Sequence, residues 1–288
     1  MNIAWIGAGN MGLPICRRLK AAGHQISILA RRAEQAVSLQ QQGFAVAPST
    51  TELVKHADII FTCVPDDQAL AEVMLNDNFT AALPKSAMLI DMSTVSPDIS
   101  AKVAAQLPKG ISFLRSPVSG STGMAEAGTL TALVSGPKAT FDATENIFSA
   151  FTKKAFYLGE AEEARFLKLA INSMVAATSA LLGEALALGQ KGGLSNAAML
   201  DVINQSAVAS PLIGYKKDMI VSGDYSPAAT LNMLKKDLNL YLAAAVENNV
   251  ATPVNNAVRK IYDAAANRGL GENDFFVLVQ EARKANLS

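Results

Sequence analysis

The chain has 288 residues, enough for one large domain or two ordinary ones, and two is the better reading because single cores stop growing near ~250 residues. Its 25 Lys and Arg balance 25 Asp and Glu, and charged residues make up only 17%, so no electrostatic footprint favours nucleic acid or an anionic membrane surface. The two cysteines, Cys16 and Cys63, fall within apolar stretches and read as reduced, buried thiols of a cytoplasmic protein rather than a disulfide framework; no metal site is expected.

The segment NIAWIGAGNMG, residues 2–12, runs an apolar strand straight into Gly7, Gly9 and Gly12 and then into the helical pattern LPICRRLKAAG. This is the dinucleotide-binding fingerprint in its proper setting. Gly7 permits the tight turn, Gly9 lets the backbone approach a pyrophosphate, and Gly12 allows close packing of helix on strand, with free amides at the helix start. The expected cofactor loop is therefore Gly7, Gly9, Asn10, Met11 and Gly12. Without a basic flank, and broken by glycines that already have this explanation, the stretch does not read as a signal peptide.

Further β-rich runs alternate with helical patterns: QISILA at 25–30, FAVA at 44–47, DIIFTCV at 58–64 and MLIDMS at 88–93. Strands covered on both faces by crossover helices are continuously apolar, as DIIFTCV nearly is, so the reading is a Rossmann-type, doubly wound parallel sheet. SFLRSPV near 112, TLTALVSG at 129–136 and AFYLG at 155–159 supply more strands, with one helix expected over 137–151. This α/β domain is expected to cover residues 1–159 and an all-helical domain residues 160–288.

The helical domain opens with an uninterrupted run to about Lys191, free of proline and rich in Ala, Leu and Glu. A helix of that length is expected to bridge the domains and to contribute to a subunit interface, giving a homodimer or homotetramer. Its most apolar part, SMVAATSALLGEALALG, carries Glu184 and reads as a buried helix rather than a membrane span. Gly192 and Gly193 stop it, and shorter helices follow at about 195–205, 211–221, 228–248, 252–267 and 272–285.

An NAD-selective fold places an Asp or Glu roughly 20 residues past the glycines to hold the ribose hydroxyls. Here that place reads ILARRAEQ, and Arg31 and Arg32 stand where a 2′-phosphate would lie. A guanidinium can fork onto phosphate oxygens and gains little from a bare hydroxyl, so NADP is the expected cofactor, with NAD possible.

Hydride transfer to a carbonyl leaves negative charge on oxygen, which calls for a proton donor at that atom. The two histidines, His24 and His56, sit at element ends and read as structural. Lys168, in ARFLKLAINSM, lies among apolar neighbours, and Asn172 is one turn later on the same helical face. Desolvation of such an amine would bring proton donation within reach near neutrality, although a lysine and asparagine at this spacing also fit a solvated stripe.

Taken together, GAGNMG, IDMSTVSP around Thr94, SPVSGSTGMAEAGTL at 116–130, KLAIN at 168–172 and LKKDLNL around Lys236 resemble the β-hydroxyacid dehydrogenase family across nearly the whole chain. That family includes 3-hydroxyisobutyrate dehydrogenases, tartronate semialdehyde reductases and glyoxylate or succinic semialdehyde reductases. The resemblance implies Lys168 as the general acid and base and Asn172 as the group that orients substrate. It implies Ser119, Gly120 and Ser121 as the grip on a substrate carboxylate. It places Val64 and Pro65 at the cofactor cleft, Thr94 at the nicotinamide ribose, and Lys236 reaching the cofactor from the helical domain.

Three departures stand out. Ser121 replaces a second glycine and adds a hydroxyl to the carboxylate pocket. EAEEARF replaces the glycine-rich approach to the lysine, and Ile171 replaces the first of two asparagines. The expected activity is an NADP-dependent interconversion of a short β-hydroxy or ω-hydroxy acid with its aldehyde or semialdehyde. The alternatives are imine reduction, which a retained Lys168 opposes, and a catalytically silent dinucleotide-binding protein that uses its helical domain as a partner platform. Phosphogluconate decarboxylation is rejected, because Ile171 stands where those enzymes have a histidine and the chain is far shorter.

Overall fold

Alternation of buried residues on two faces builds the first half of the molecule. In the strand Asn2–Ile6, Ile3 and Trp5 join one apolar cluster while Ala4 and Ile6 join another. The strand Ile59–Thr62 repeats the pattern, with Ile59 and Phe61 on the first face and Ile60 on the second. A sheet buried on both sides needs helices on both sides, and the computed structural model, which describes residues 1–30 and 32–285, has them.

In chain order the elements are β1 (Asn2–Ile6), α1 (Gly12–Ala21), β2 (Gln25–Leu29), α2 (Ala33–Gln41), β3 (Ala45–Ala47), α3 (Thr50–Val54), β4 (Ile59–Thr62), α4 (Asp67–Met74), α5 (Asp77–Ala82), β5 (Met88–Asp91) and α6 (Pro97–Gln106). Then come β6 (Ser112–Arg115), β7 (Val118–Ser119), α7 (Thr122–Ala127), β8 (Leu130–Ser135), α8 (Lys138–Ala143), α9 (Glu145–Ser149) and β9 (Thr152–Gly159). The helical part holds α10 (Glu163–Lys191), α11 (Asn196–Ile203), α12 (Pro211–Ser222), α13 (Leu231–Glu247), α14 (Pro253–Ala265) and α15 (Leu278–Ala285).

The strands form one sheet in the order β3-β2-β1-β4-β5-β6-β8-β7, with β9 on β8. From β3 to β6 every pairing is parallel. Beyond β6 the all-parallel expectation gives way, because β8 runs antiparallel to both β6 and β7. The link 120–129 holds only the short α7 and is too brief for a parallel crossover, so the chain folds back on β7. The single helix expected over 137–151 is two, broken at Thr144, whose hydroxyl donates back to the carbonyls of Thr140 at 2.9 Å and Phe141 at 3.0 Å.

The chain divides into two compact units, Met1–Lys168 and from Leu169 onward. The first turns of α10 belong with the sheet for a physical reason. Arg115, at the end of β6, holds Glu162 at 2.5 Å, and Arg165 is buried against Asp91 of β5.

The second unit has its own core, in which Leu182, Leu186, Leu200, Tyr262 and Phe276 are buried. Polar pairs lie inside it as well. The Ser179 and Tyr262 hydroxyls meet at 2.8 Å, and Lys216 reaches Asp274 at 2.5 Å. Asp274 also accepts from the Phe276 amide at 3.1 Å, so one carboxylate both neutralises a buried ammonium and caps the turn Phe275–Val277.

Candidate active site

The glycine loop is built so that backbone replaces side chain. Gly7 has φ +95°, and a Cβ there would stand 2.1 Å from the Cys63 carbonyl oxygen. At Gly12 a Cβ would stand 2.5 Å from the Gly7 oxygen and 2.8 Å from Trp5 Nε1, whereas at Gly9 it would meet nothing within 4 Å. Gly7 and Gly12 are therefore required by packing, whereas nothing within the described chain excludes a side chain at Gly9. No side chain caps α1, which starts from Met11; of its first amides, that of Leu13 donates to the Gly9 carbonyl at 2.9 Å. Gly9 and Asn10 are exposed and Met11 is half-buried. Open space over Gly9, beside a helix start without a side-chain cap, fits a dinucleotide pyrophosphate.

Past the end of β2, Arg32 is exposed at the N-cap of α2. Arg31 lies outside the described residues. Val64 is buried, and its amide donates to the Ser93 hydroxyl at 2.9 Å; Pro65 beside it is exposed. Thr94 is half-buried past the end of the neighbouring β5. Capping of α6 is not its task, since Ser96 accepts from the Ile99 amide at 3.1 Å.

The loop expected to grip a carboxylate leaves β7 at Ser119. Gly120 has φ +140°, and a Cβ there would stand 2.7 Å from Leu130 Cδ2 and 3.2 Å from Met124 Sδ. Ser121 is the N-cap of α7, its oxygen accepting from the Met124 amide at 3.3 Å. Its acceptor side is thus engaged in the fold, and its O–H is the part that can donate.

Lys168 is half-buried on α10, one turn before Asn172. Asn172 is buried, and its Nδ2 donates to Asp237 Oδ2 of α13 at 2.6 Å. Lys236, also on α13, is half-buried, with its Nζ 2.9 Å from Asp237 Oδ1 in an ion pair. Asp237 is the group that sequence reasoning missed. Its signal was present, because Leu231, Leu234 and Leu238 mark the buried face of α13 and Asp237 is buried with them. Arg165 was missed in the same way, as a charge on the buried side of α10. Among the described residues, no cluster of three or more His, Cys, Asp or Glu could hold a metal ion.

Comparison with known proteins bears on the family. A family model described as the NAD binding domain of 6-phosphogluconate dehydrogenase matches residues 2–159, and one described as NAD-binding of NADP-dependent 3-hydroxyisobutyrate dehydrogenase matches residues 163–281. The chain is 30% identical over 285 residues to glyoxylate/succinic semialdehyde reductase 1 of Arabidopsis thaliana, covering 98% of this chain and 99% of that protein. It is also 30% identical over 275 residues to the cytokine-like nuclear factor N-PAC of Xenopus tropicalis, covering 95% of this chain and 52% of that protein, so it spans about half the length of such relatives. Psf3, solved in complex with NADP+ and 2-OPP, matches with a TM-score of 0.88 at 26% identity over 99% of this chain and 100% of that one. With both family models and a full-length relative matching across its two units, the chain belongs to the β-hydroxyacid dehydrogenase family.

Proposed function

We propose that this chain is an NADP-dependent oxidoreductase that interconverts a short β-hydroxy or ω-hydroxy acid with its aldehyde or semialdehyde, with Lys168 as the general acid and base. The observation that carries this reading is Lys168 on α10, one turn before an asparagine whose amide is held by buried Asp237. The nicotinamide, when bound, supplies or accepts the hydride. Lys168 gives a proton to the carbonyl oxygen in reduction and takes it from the alcohol in oxidation. Asn172 orients the substrate. Ser119, the Gly120 backbone and the Ser121 hydroxyl hold its carboxylate as a small anion nest. Val64, Pro65, Thr94 and Lys236 contact the cofactor, and Arg32, with Arg31, supports a 2′-phosphate.

The substrate class is a small carboxylate-bearing aldehyde or hydroxy acid, the setting is cytoplasmic, and the protein partner is a second copy of the chain. An NADPH-oxidation screen over glyoxylate, succinic semialdehyde, tartronate semialdehyde and methylmalonate semialdehyde, run beside Lys168→Ala, tests the reading. Loss of the general acid should lower turnover at least ~10²-fold with NADPH affinity largely kept. An undiminished rate means the proton comes from elsewhere, and higher catalytic efficiency with NADH than NADPH refutes the cofactor assignment. The similarity to a nuclear factor favours one second reading, a dinucleotide-binding protein without turnover. It requires tight NADP binding and no reaction with any of these aldehydes.

A further inference from the structure

The start of α10 is anchored by a side chain that the chemistry above does not use. Arg165 is 1% exposed, and its guanidinium forks into three acceptors. It donates to Asp91 Oδ2, to the Ser93 carbonyl at 2.6 Å and to the Ser100 hydroxyl at 3.2 Å. The other oxygen of Asp91 accepts from Thr62 Oγ1 at 2.5 Å and from Ser93 Oγ at 2.6 Å, and that serine oxygen accepts from the Val64 amide. One buried pair thus joins the ends of β4 and β5, α6 and the helix that carries Lys168 three residues later, all within the first unit.

Apolar residues of similar volume could close the same junction, often with equal or greater stability, whereas a fork with three directional acceptors specifies a geometry. We infer that Arg165 and Asp91 are positioning residues that hold the Lys168 amine in register with the loops after β4 and β5, where Val64, Pro65 and Thr94 stand. The inference rests on Lys168 being the proton donor. A displacement of about 1 Å at such a group can cost ~10²-fold in rate, so a loosened fork should act on the chemical step before it acts on cofactor binding.

Three variants test it beside Lys168→Ala. Arg165→Lys keeps the charge but cannot span three acceptors. Asp91→Asn turns the oxygen facing Arg165 into a donor while keeping an acceptor for Thr62 and Ser93. Ser100→Ala removes one acceptor without unpairing a charge. Binding is read from energy transfer to NADPH from Trp5, the single tryptophan, which lies under Gly12.

For the first two variants kcat should fall at least ~10-fold with KM for NADPH and the transfer signal within about 2-fold of the parent. The deuterium isotope effect from labelled NADPH should rise, and the Val64 amide should exchange its hydrogen faster. Ser100→Ala should shift each readout the same way by less, and it decides the matter if the charged variants do not fold. Unchanged kcat per bound NADPH in the folded variants, with Lys168→Ala inactive, overturns the positioning role alone. Full activity in Lys168→Ala overturns the donor assignment and this inference with it.

Discussion

An amide side chain orients a ligand only when one of its ends is held, since rotation otherwise exchanges its donor and acceptor. Asn172 is held at Nδ2 by Asp237 Oδ2 at 2.6 Å. A hydrogen bond to a charged group is worth ~1.5–3 kcal/mol, so Asp237→Ala should raise KM for the aldehyde about 10-fold or more. Trp5-to-NADPH energy transfer should stay near the parent value; equal loss of both would mean that Asp237 serves the cofactor or the fold instead. That Lys168 and Asn172 stand one turn apart on one helix was legible from their spacing. The partner of Asn172 was not, because it lies 65 positions away on another helix and only packing brings them together.

The cysteines set a second prediction at this scale. Burial pushes the Cys63 thiol up to about 12, with the charge of Asp91 adding to it, and burial raises Cys16 well above its usual value, with Cys63 adding. A folded value above the unfolded one means the unfolded chain gives up its protons first as pH rises. The stabilisation is complete below the unfolded thiol value of ~8.5 and declines from there toward the folded values. The urea midpoint should therefore fall between about pH 8.5 and 11, and Cys63→Ala should flatten that fall. An equal decline in parent and variant would assign it to other groups, such as Tyr262, whose hydroxyl burial also raises.

Among the elements, the turn from β1 to α1 separates what the fold needs from what a ligand needs. Gly12→Ala forces a Cβ to within 2.5 Å of a backbone oxygen, a clash that no side-chain rotation relieves. It should destabilise the chain by ~1–3 kcal/mol in urea melts. Gly9→Ala meets open space and should leave stability within about 0.5 kcal/mol, while its methyl stands where a pyrophosphate would approach and weakens NADPH binding. If both variants change stability alike, the distinction fails. The strands around this turn were readable because burial on both faces leaves an unbroken apolar run, as in the fully buried β4. The antiparallel β8 and the break at Thr144 were not readable, since each depends on a link length or a single hydroxyl rather than on a repeating pattern.

Across the whole molecule, α10 leaves an unfinished surface. Its 29 residues span about 44 Å. Met174, Leu181 and Leu188 on it are 70%, 68% and 77% exposed. They recur every seven residues, an interval that drifts only ~20° around a straight helix, so they form a single strip about 21 Å long. Three large apolar side chains in one strip would each gain ~1.5–3 kcal/mol from full burial, and a strip with an even repeat is complementary to itself across a twofold axis. A second copy of the chain is therefore its proposed cover. Light scattering after size exclusion should give twice or four times the 30.2 kDa chain mass at tens of micromolar, and Leu181→Glu, which places a charge in the middle of the strip, should move the mass toward a single chain. Because Leu181 is already exposed, the same change should leave the thermal transition of the isolated chain in place. A parent chain that runs at 30.2 kDa, or a Leu181→Glu variant that keeps the parent mass, removes the strip from the interface.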